Sequence, residues 1–168
     1  MSPDALVRQH ADLVYRVALR VSGSTDDAAD AAQDALVKVW QKIGDVPAER
    51  RSAWAARVAR NAALDLRRRR SVRPTPGWEE PISDPASADL GPSRHAEVSE
   101  LRANLERAVD SLDEPYRSIL VLREIEGFSY ADIADTLSLP LNTLKVYLMR
   151  ARRRARAALT AAAPDLVP

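Results

Sequence analysis

The sequence predicts an all-α protein, built as two small helical domains joined by a flexible linker, the C-terminal one a four-helix helix-turn-helix domain. Apolar residues recur every three or four positions through most of the 168 residues, and no alternating strand pattern is sustained. Residues 71–96 lose this periodicity and are rich in proline and acidic residues. We therefore expect domains at residues 1–70 and 97–163, with a Pro-rich acidic linker at 71–96.

The first domain should contain three helices. The apolar stripe of the first helix includes His10 and ends at residues 22–23, and Ser24 followed by Asp27 has the spacing of a capping box for the second helix. Residues 44–47 break the second helix, and a third spans residues 52–70. We expect the second helix to bury Ala28, Ala32, Leu36, Val39, Trp40 and Ile43, and the third to bury Trp54, Val58, Ala62 and Leu66.

The linker contains five prolines between residues 71 and 95, which favour an extended or mobile chain. Trp78 is the exception in this polar stretch and is a candidate for docking on a neighbouring domain. The helical period returns from Glu97, and Gly127 closes the helix that follows residues 113–115.

Residues 129–156 have the pattern of a helix-turn-helix. Ser129 is the expected N-cap of a helix over Tyr130–Leu137, and Pro140 forces the next helix, residues 142–156, to begin at an angle. At 100° per residue the last helix has a core stripe and an outward stripe. The core stripe holds Leu144, Leu148, Ala151 and Ala155, and the outward stripe holds Asn142, Val146, Met149, Arg150 and Arg153.

Charge favours a nucleic-acid partner for that outward stripe. Residues 141–163 hold six Lys or Arg and no acid, and residues 50–73 hold nine Arg and one acid. Residues 24–37, by contrast, hold four acids and no base. The alternative is an ordinary amphipathic helix pair with a solvated basic face. We prefer DNA contact, because two basic helical units on a tether can span two separated sites.

Other classes of protein fit the sequence poorly. It has no cysteine, which excludes disulfides and thiolate zinc sites, and it has no long apolar segment, so we expect a cytoplasmic protein without membrane insertion. Its histidines, His10 and His95, lack metal-ligand spacing, and neither a phosphate-binding glycine loop nor a nucleophile elbow occurs. We therefore expect no enzymatic activity, no cofactor and no metal.

Three segments carry a resemblance to a known family. They are residues 27–40 (DAADAAQDALVKVW), residues 54–65 (WAARVARNAALD) with the arginines at 67–70, and residues 112–154, most specifically 122–134 (LREIEGFSYADIA). In this order and spacing they resemble the bacterial extracytoplasmic-function (ECF) sigma factors of the sigma-70 family. A sigma factor binds core RNA polymerase, recognises the −35 and −10 promoter elements and directs transcription initiation.

The resemblance implies three sets of contact residues. It implies that the acidic helix binds the clamp helices of the polymerase β′ subunit through Asp30, Gln33, Asp34 and Lys38. It implies that the −10 element is met by Arg57, Arg60, Asn61, Arg67 and Arg68, with a flipped-out base captured near residues 44–51. For the −35 element the expected residues are Asn142, Thr143, Lys145, Val146, Met149, Arg150 and Arg153. We expect Arg152 and Arg154 to join Lys145 and Arg153 on phosphates.

The resemblance also implies the β flap and an anti-sigma factor as partners, and a place for the linker in the RNA-exit path of the polymerase unless it is simply solvated. The chain departs from the family pattern at Ser138, where a glycine is usual in the turn. The rival interpretation is a stand-alone helix-turn-helix transcriptional regulator, which would bind duplex DNA tightly without polymerase. That interpretation gives no reason for the acidic second helix.

Overall fold

A computed structural model describes residues 2–71 and 92–166 of the chain. Every regular element in these ranges is helical, which confirms the all-α fold class. Trp78 and the central part of the predicted linker lie outside the described residues. The α-helices are α1 (Pro3–Ser22), α2 (Thr25–Lys42), α3 (Arg51–Ser71), α4 (Pro92–Asp110), α5 (Tyr116–Leu120), α6 (Tyr130–Leu137) and α7 (Leu141–Ala162).

The helix starts follow the predicted capping chemistry. The Ser24 hydroxyl accepts a hydrogen bond from the Asp27 amide at the start of α2, and the Ser129 hydroxyl accepts one from the Asp132 amide at the start of α6. Each satisfies a backbone donor that has no partner within its helix. One boundary differs from the prediction, because α4 already begins at Pro92 and takes in residues 92–96 of the expected linker. Proline suits the first helical turn, where no amide donor is needed.

Two helix ends adopt the left-handed backbone conformation. Gly23 ends α1 with φ +73°, as expected for a glycine cap, and Ser138 ends α6 with φ +54°. The turn between α6 and α7 therefore requires the conformation that glycine adopts most easily. This explains why a glycine is usual at the position of Ser138 in the family that the sequence resembles. α5 passes into a π-helical turn, Val121–Ile125, before Gly127 redirects the chain.

We call α1–α3 the N-terminal unit and α4–α7 the C-terminal unit. The helices of the N-terminal unit pack on one another through small and branched side chains such as Val14, Val39 and Ala59, all fully buried. In the C-terminal unit Leu144 and Leu148 of α7 are buried, as the core stripe predicts, while Ala155 is only partly buried.

The two units share one apolar core. The main cluster of buried residues continues from the N-terminal unit into Ile119, Leu122, Ile133 and Leu144 of the C-terminal unit. Charged pairs surround this contact. These inter-unit ion pairs are Arg16–Glu126, Arg20–Glu106, Arg50–Asp135 and Arg60–Glu114. The units are therefore packed against each other, an arrangement that sequence periodicity did not predict.

One buried arginine contributes to the same junction. The side chain of Arg117 in α5 is buried and donates hydrogen bonds to the carbonyl oxygens of Asp110 and Leu112, each at 2.6 Å. It also donates to the carbonyl of Val21, at the end of α1, at 3.4 Å. Burial lowers the pKa of Arg117, with a further lowering from the nearby Arg67. Its carbonyl partners compensate in part for the water that it loses.

Candidate functional site

The outward face of α7 is exposed, as predicted. Asn142, Lys145, Arg150 and Arg153 are exposed cationic or polar side chains, and the apolar Val146 and Met149 lie among them. Thr143 is only partly buried at the start of the helix. The opposite face is anchored by the buried core stripe, so this helix presents a fixed row of donors to solvent. Its geometry suits the major groove of DNA.

Two cations that we expect on phosphates, Arg152 and Arg154, contact other side chains of the C-terminal unit in this structure. The Arg152 guanidinium donates to Glu124 Oε1 through Nε at 2.7 Å, and this bond raises the pKa of Arg152. The Arg154 guanidinium lies over the ring of Tyr116 at 4.2 Å, a cation–π contact. Tyr147 packs against the same ring at a centroid distance of 5.4 Å. These contacts orient α7 and leave the outward stripe as its accessible polar surface.

The second basic surface lies on α3. Arg57, Asn61 and Arg68 are exposed there, whereas Arg60 and Arg67 are partly buried. Arg60 donates through Nε to the Ser118 hydroxyl at 2.7 Å and through Nη2 to Glu114 Oε2 at 3.4 Å.

Arg67 donates to the Val21 carbonyl at 3.1 Å. Burial lowers the pKa of Arg60, and its Glu114 partner opposes that effect. The predicted −10 set is therefore divided between exposed residues and residues held at the junction of the two units.

A cavity of about 330 Å³ opens beside the loop that precedes α3. One wall of the cavity belongs to the N-terminal unit and includes Val46, Pro47 and Trp54. The other wall is formed by Asp135 and Thr136 of α6. Arg50 and Asp135 close one side, with Nη2 and Oδ2 at 2.6 Å. The Thr136 hydroxyl donates to the Ala53 carbonyl at 3.5 Å. The loop in which the resemblance implied a base pocket is thus covered by the helix-turn-helix unit.

The acidic surface of α2 is exposed, and it contains Asp30, Gln33, Asp34 and Lys38. Asp27 belongs to a different environment, because it pairs with Arg70 of α3 at 3.2 Å. The first acidic residues of α2 thus serve the helix start and the packing of α3. The later ones extend a surface rich in hydrogen-bond acceptors into solvent.

The prediction that Trp40 is buried was wrong. Its side chain is 53% exposed and forms, with Tyr15, Leu36 and Val37, one side of an apolar groove between α1 and α2. The Trp40 indole Nε1 donates to Asp4 Oδ1 at 2.9 Å. The spacing of residues 33, 37 and 40 could have indicated this, because it places Trp40 on the face of Gln33 and not on the face of the core stripe.

A second apolar groove, of about 450 Å³, lies on the C-terminal unit. Its apolar lining includes Val98, Leu101 and Leu105 of α4 and Ile125 of the π-helical turn, and Arg20 and Glu106 form its polar edge. Burial raises the pKa of Glu106, opposed by its Arg20 partner. The sequence indicated the apolar period of α4 but not that several of these side chains remain exposed.

The histidine on the core stripe is buried, and both of its ring nitrogens lie near polar groups of the N-terminal unit. His10 Nδ1 lies 2.8 Å from the Leu6 carbonyl oxygen, and Nε2 lies 3.5 Å from the Ser52 hydroxyl. Across residues 2–71 and 92–166, no group of three His, Asp or Glu side chains is placed to hold a metal ion. Within the same ranges, no helix is both long and apolar enough to cross a membrane.

Comparison with known proteins places both units in one family. Residues 6–73 match the family model described as Sigma-70 region 2, and residues 102–154 match the one described as Sigma-70, region 4. The first match covers most of α1 and all of α2 and α3, and the second runs from within α4 to within α7. Two solved structures share the fold. One is the sigma factor RpoE in complex with the anti-sigma factor NepR from Bartonella quintana, with a TM-score of 0.71 and 23% identity over 92% of this chain and 94% of that one. The other is CnrH in complex with the cytosolic domain of CnrY, with a TM-score of 0.64 and 24% identity over 95% of this chain and 88% of that one.

Curated relatives are more similar in sequence. ECF RNA polymerase sigma factor SigE of Mycolicibacterium smegmatis is 36% identical over 91% of this chain. The aligned part spans 60% of the length of SigE. ECF RNA polymerase sigma factor SigM of Mycobacterium tuberculosis is 32% identical over 90% of this chain and 74% of its own length. SigW of Bacillus subtilis is 27% identical over 90% of this chain and 85% of its own length. With both sigma regions matched in order and relatives that align along nearly all of this sequence, the chain belongs to the ECF sigma factors of the sigma-70 family.

Proposed function

We propose that this chain brings core RNA polymerase to promoters by using three separate surfaces, one acidic and two basic. The observation that carries this proposal is their arrangement on one molecule: an exposed acidic face on α2, basic side chains on α3 and a basic outward face on α7. The acidic face should bind a basic protein surface, and the two basic faces should bind nucleic acid. We place this activity in the cytoplasm, where the polymerase works.

For the −35 element we assign the outward face of α7 to the major groove. Arg150 can donate two hydrogen bonds to a guanine edge, and Asn142 can bond an adenine or a phosphate. Lys145 and Arg153 contact the DNA backbone, which sets affinity and its salt dependence, and Thr143 adds a hydroxyl to the same −35 contact surface.

For the −10 element we assign the exposed Arg57, Asn61 and Arg68 to the first contacts. Arg60 and Arg67 join them only when the two units separate, because both now bond to groups at the unit junction. The cavity beside Pro47 and Trp54 is large enough to accept a flipped-out base once α6 has moved away.

For core polymerase we assign Asp30, Gln33, Asp34 and Lys38 of α2 to the clamp helices of β′. The neighbouring groove at Trp40 supplies apolar area, which the charged residues alone lack. The groove of the C-terminal unit, at Leu101 and Leu105, is our candidate for the β flap.

We also propose regulation by an anti-sigma factor. The support is that two neighbours of the same fold, RpoE and CnrH, were solved with NepR and with the cytosolic domain of CnrY. The closed packing of the two units would be the form that such a partner holds, because it covers Arg60 and the cavity beside α3.

A pull-down with purified core RNA polymerase tests the proposed function. We expect the wild-type chain to co-elute with the core enzyme and the Asp30→Arg/Asp34→Arg variant not to, because two acceptors become repelling cations. The matched control is Asp65→Arg/Asp165→Arg, which makes the same charge change at exposed sites that lie outside α2 and line neither apolar groove, and it should still co-elute. A wild-type chain that binds duplex DNA but not core enzyme would favour the stand-alone regulator.

A further inference from the structure

Two apolar side chains stand in the middle of the basic outward face of α7. Val146 is 41% exposed and Met149 is 61% exposed, the largest exposed fraction among the large apolar side chains of the described ranges. Neither belongs to the apolar core. They are three residues apart, so they lie side by side on one helix face.

The surroundings of this pair favour a polyanion. Lys145, Arg150 and Arg153 flank it, and none of these three has an ion-pair partner among the residues that the structure describes. The neighbouring Arg152 and Arg154 turn away to Glu124 and Tyr116. An apolar protein partner would leave three cations without a counter-charge, whereas DNA supplies phosphates for Lys145 and Arg153 and guanine acceptor atoms for Arg150.

The major groove offers one kind of apolar group at the edges of the bases. Donors and acceptors occupy the edges of guanine, adenine and cytosine, and only thymine carries a methyl group there, at C5. An exposed valine and methionine held against base edges gain free energy only by covering such a methyl. A cytosine or guanine edge at the same position would instead lose its water to a side chain that cannot hydrogen-bond.

We propose that Val146 and Met149 are specificity-determining residues that select thymine in the −35 element by contact with its C5 methyl group. This inference rests on the proposed assignment of α7 to that element. It adds a third function to the helix face: Lys145 and Arg153 hold the duplex backbone, Arg150 donates to a guanine edge, and the apolar pair selects thymine.

The test uses holoenzyme assembled from the full chain and core RNA polymerase. A promoter is first identified by transcription from genomic fragments, and each thymine of its −35 element is then replaced by deoxyuridine, which removes only the methyl. We expect promoter binding to weaken roughly fourfold at one or two thymines, the value for one buried methyl group. Substitution at the remaining thymines should change binding less than about twofold.

Protein variants then assign the effect to these residues. Val146→Ala and Met149→Ala should weaken binding to thymine DNA but no longer distinguish it from the deoxyuridine DNA at the sensitive position. Lys145→Ala is the control, since loss of a phosphate contact should weaken binding to both DNAs by the same factor. Discrimination that persists unchanged in Val146→Ala, Met149→Ala and the double variant would overturn the inference.

The outcomes also separate this inference from the function on which it rests. Absence of any promoter-specific transcript would reject the proposed function itself, on which the −35 assignment depends. Promoter-specific transcription that is indifferent to every thymine methyl would reject only the role of Val146 and Met149.

Discussion

Arg60 of α3 and Glu114, in the loop before α5, form an ion pair across the boundary between the two units, with Nη2 and Oε2 3.4 Å apart. Ser118 completes the site by accepting from Arg60 and donating to the same Glu114 oxygen at 2.6 Å. A residue that we assign to the −10 element is thus held by the unit that we assign to the −35 element. Promoter binding through Arg60 requires these contacts to break.

Charge reversal at the unit boundary should open the molecule. We expect Glu126→Arg/Asp135→Arg to increase the radius of gyration in X-ray scattering, because each new arginine faces the cation that now pairs with it, Arg16 or Arg50. High salt should reduce this expansion by screening the repulsion. The control is Glu124→Arg/Asp65→Arg, which reverses charges that pair within one unit. Equal radii for the two double variants would contradict this prediction.

Arg117→Met should destabilise the fold by about 3 kcal/mol or more, because it leaves several carbonyl oxygens without their donor while preserving most of the side-chain volume. Those of Asp110 and Leu112 each lie 2.6 Å from Arg117 Nη2. Urea unfolding measures the change. Arg156→Met, at an exposed arginine of α7, is the control and should change stability by less than about 0.5 kcal/mol.

Ser138→Gly should stabilise the turn between α6 and α7. A left-handed backbone at a non-glycine residue destabilises the folded state by about 1–2 kcal/mol, and glycine removes this strain. Glycine also has more conformational freedom in the unfolded chain, which offsets about half of that gain in stability. We therefore expect a net gain of about 0.5–1 kcal/mol in thermal or urea unfolding. Ser138→Val is the opposite test, since a β-branched side chain is strained at φ +54°. A stabilised valine variant would show that the turn is not left-handed.

Gly23→Ala should lower the free energy of unfolding by about 1–2 kcal/mol, because φ is +73° at this position and alanine is strained there. The added Cβ would also lie 3.1 Å from Asp110 Oδ1, across the unit boundary. Gly44→Ala is the matched control, since a Cβ there meets nothing within 4 Å and its φ is not in the left-handed range. Urea unfolding of the two variants side by side measures the difference, and equal losses of stability would contradict the prediction.

Local chemistry explains most of what the sequence predicted. The capping serines, the glycine at the end of α1 and the core stripe of α7 each depend on residues within about one or two helical turns, so spacing alone reveals them. The exposed row on α7 followed from the same counting, whereas the row on α2 was implied by the resemblance to the ECF sigma factors. The assignment of Trp40 to the core was wrong because Trp40 directly follows the buried Val39 and so lies about 100° away from it around the helix.

The packing of the two units was not predictable in this way. It depends on side chains as far apart in sequence as Arg16 and Glu126, and on the burial of Arg117, whose charge would ordinarily place it at the surface. The same long-range contacts decide which of the α3 residues are accessible. Periodicity gives the face on which Arg60 lies but not the unit that covers it.

The exposed indole of Trp40 gives the acidic surface of α2 an optical signal of its own. Its emission depends on contact with water and on the hydrogen bond from Nε1 to Asp4, so a protein that covers the groove should shift that emission to shorter wavelength. In a Trp54→Phe/Trp78→Phe background, Trp40 would be the sole tryptophan of the chain. Docking on that groove could then be followed by fluorescence in real time, without a chemical label.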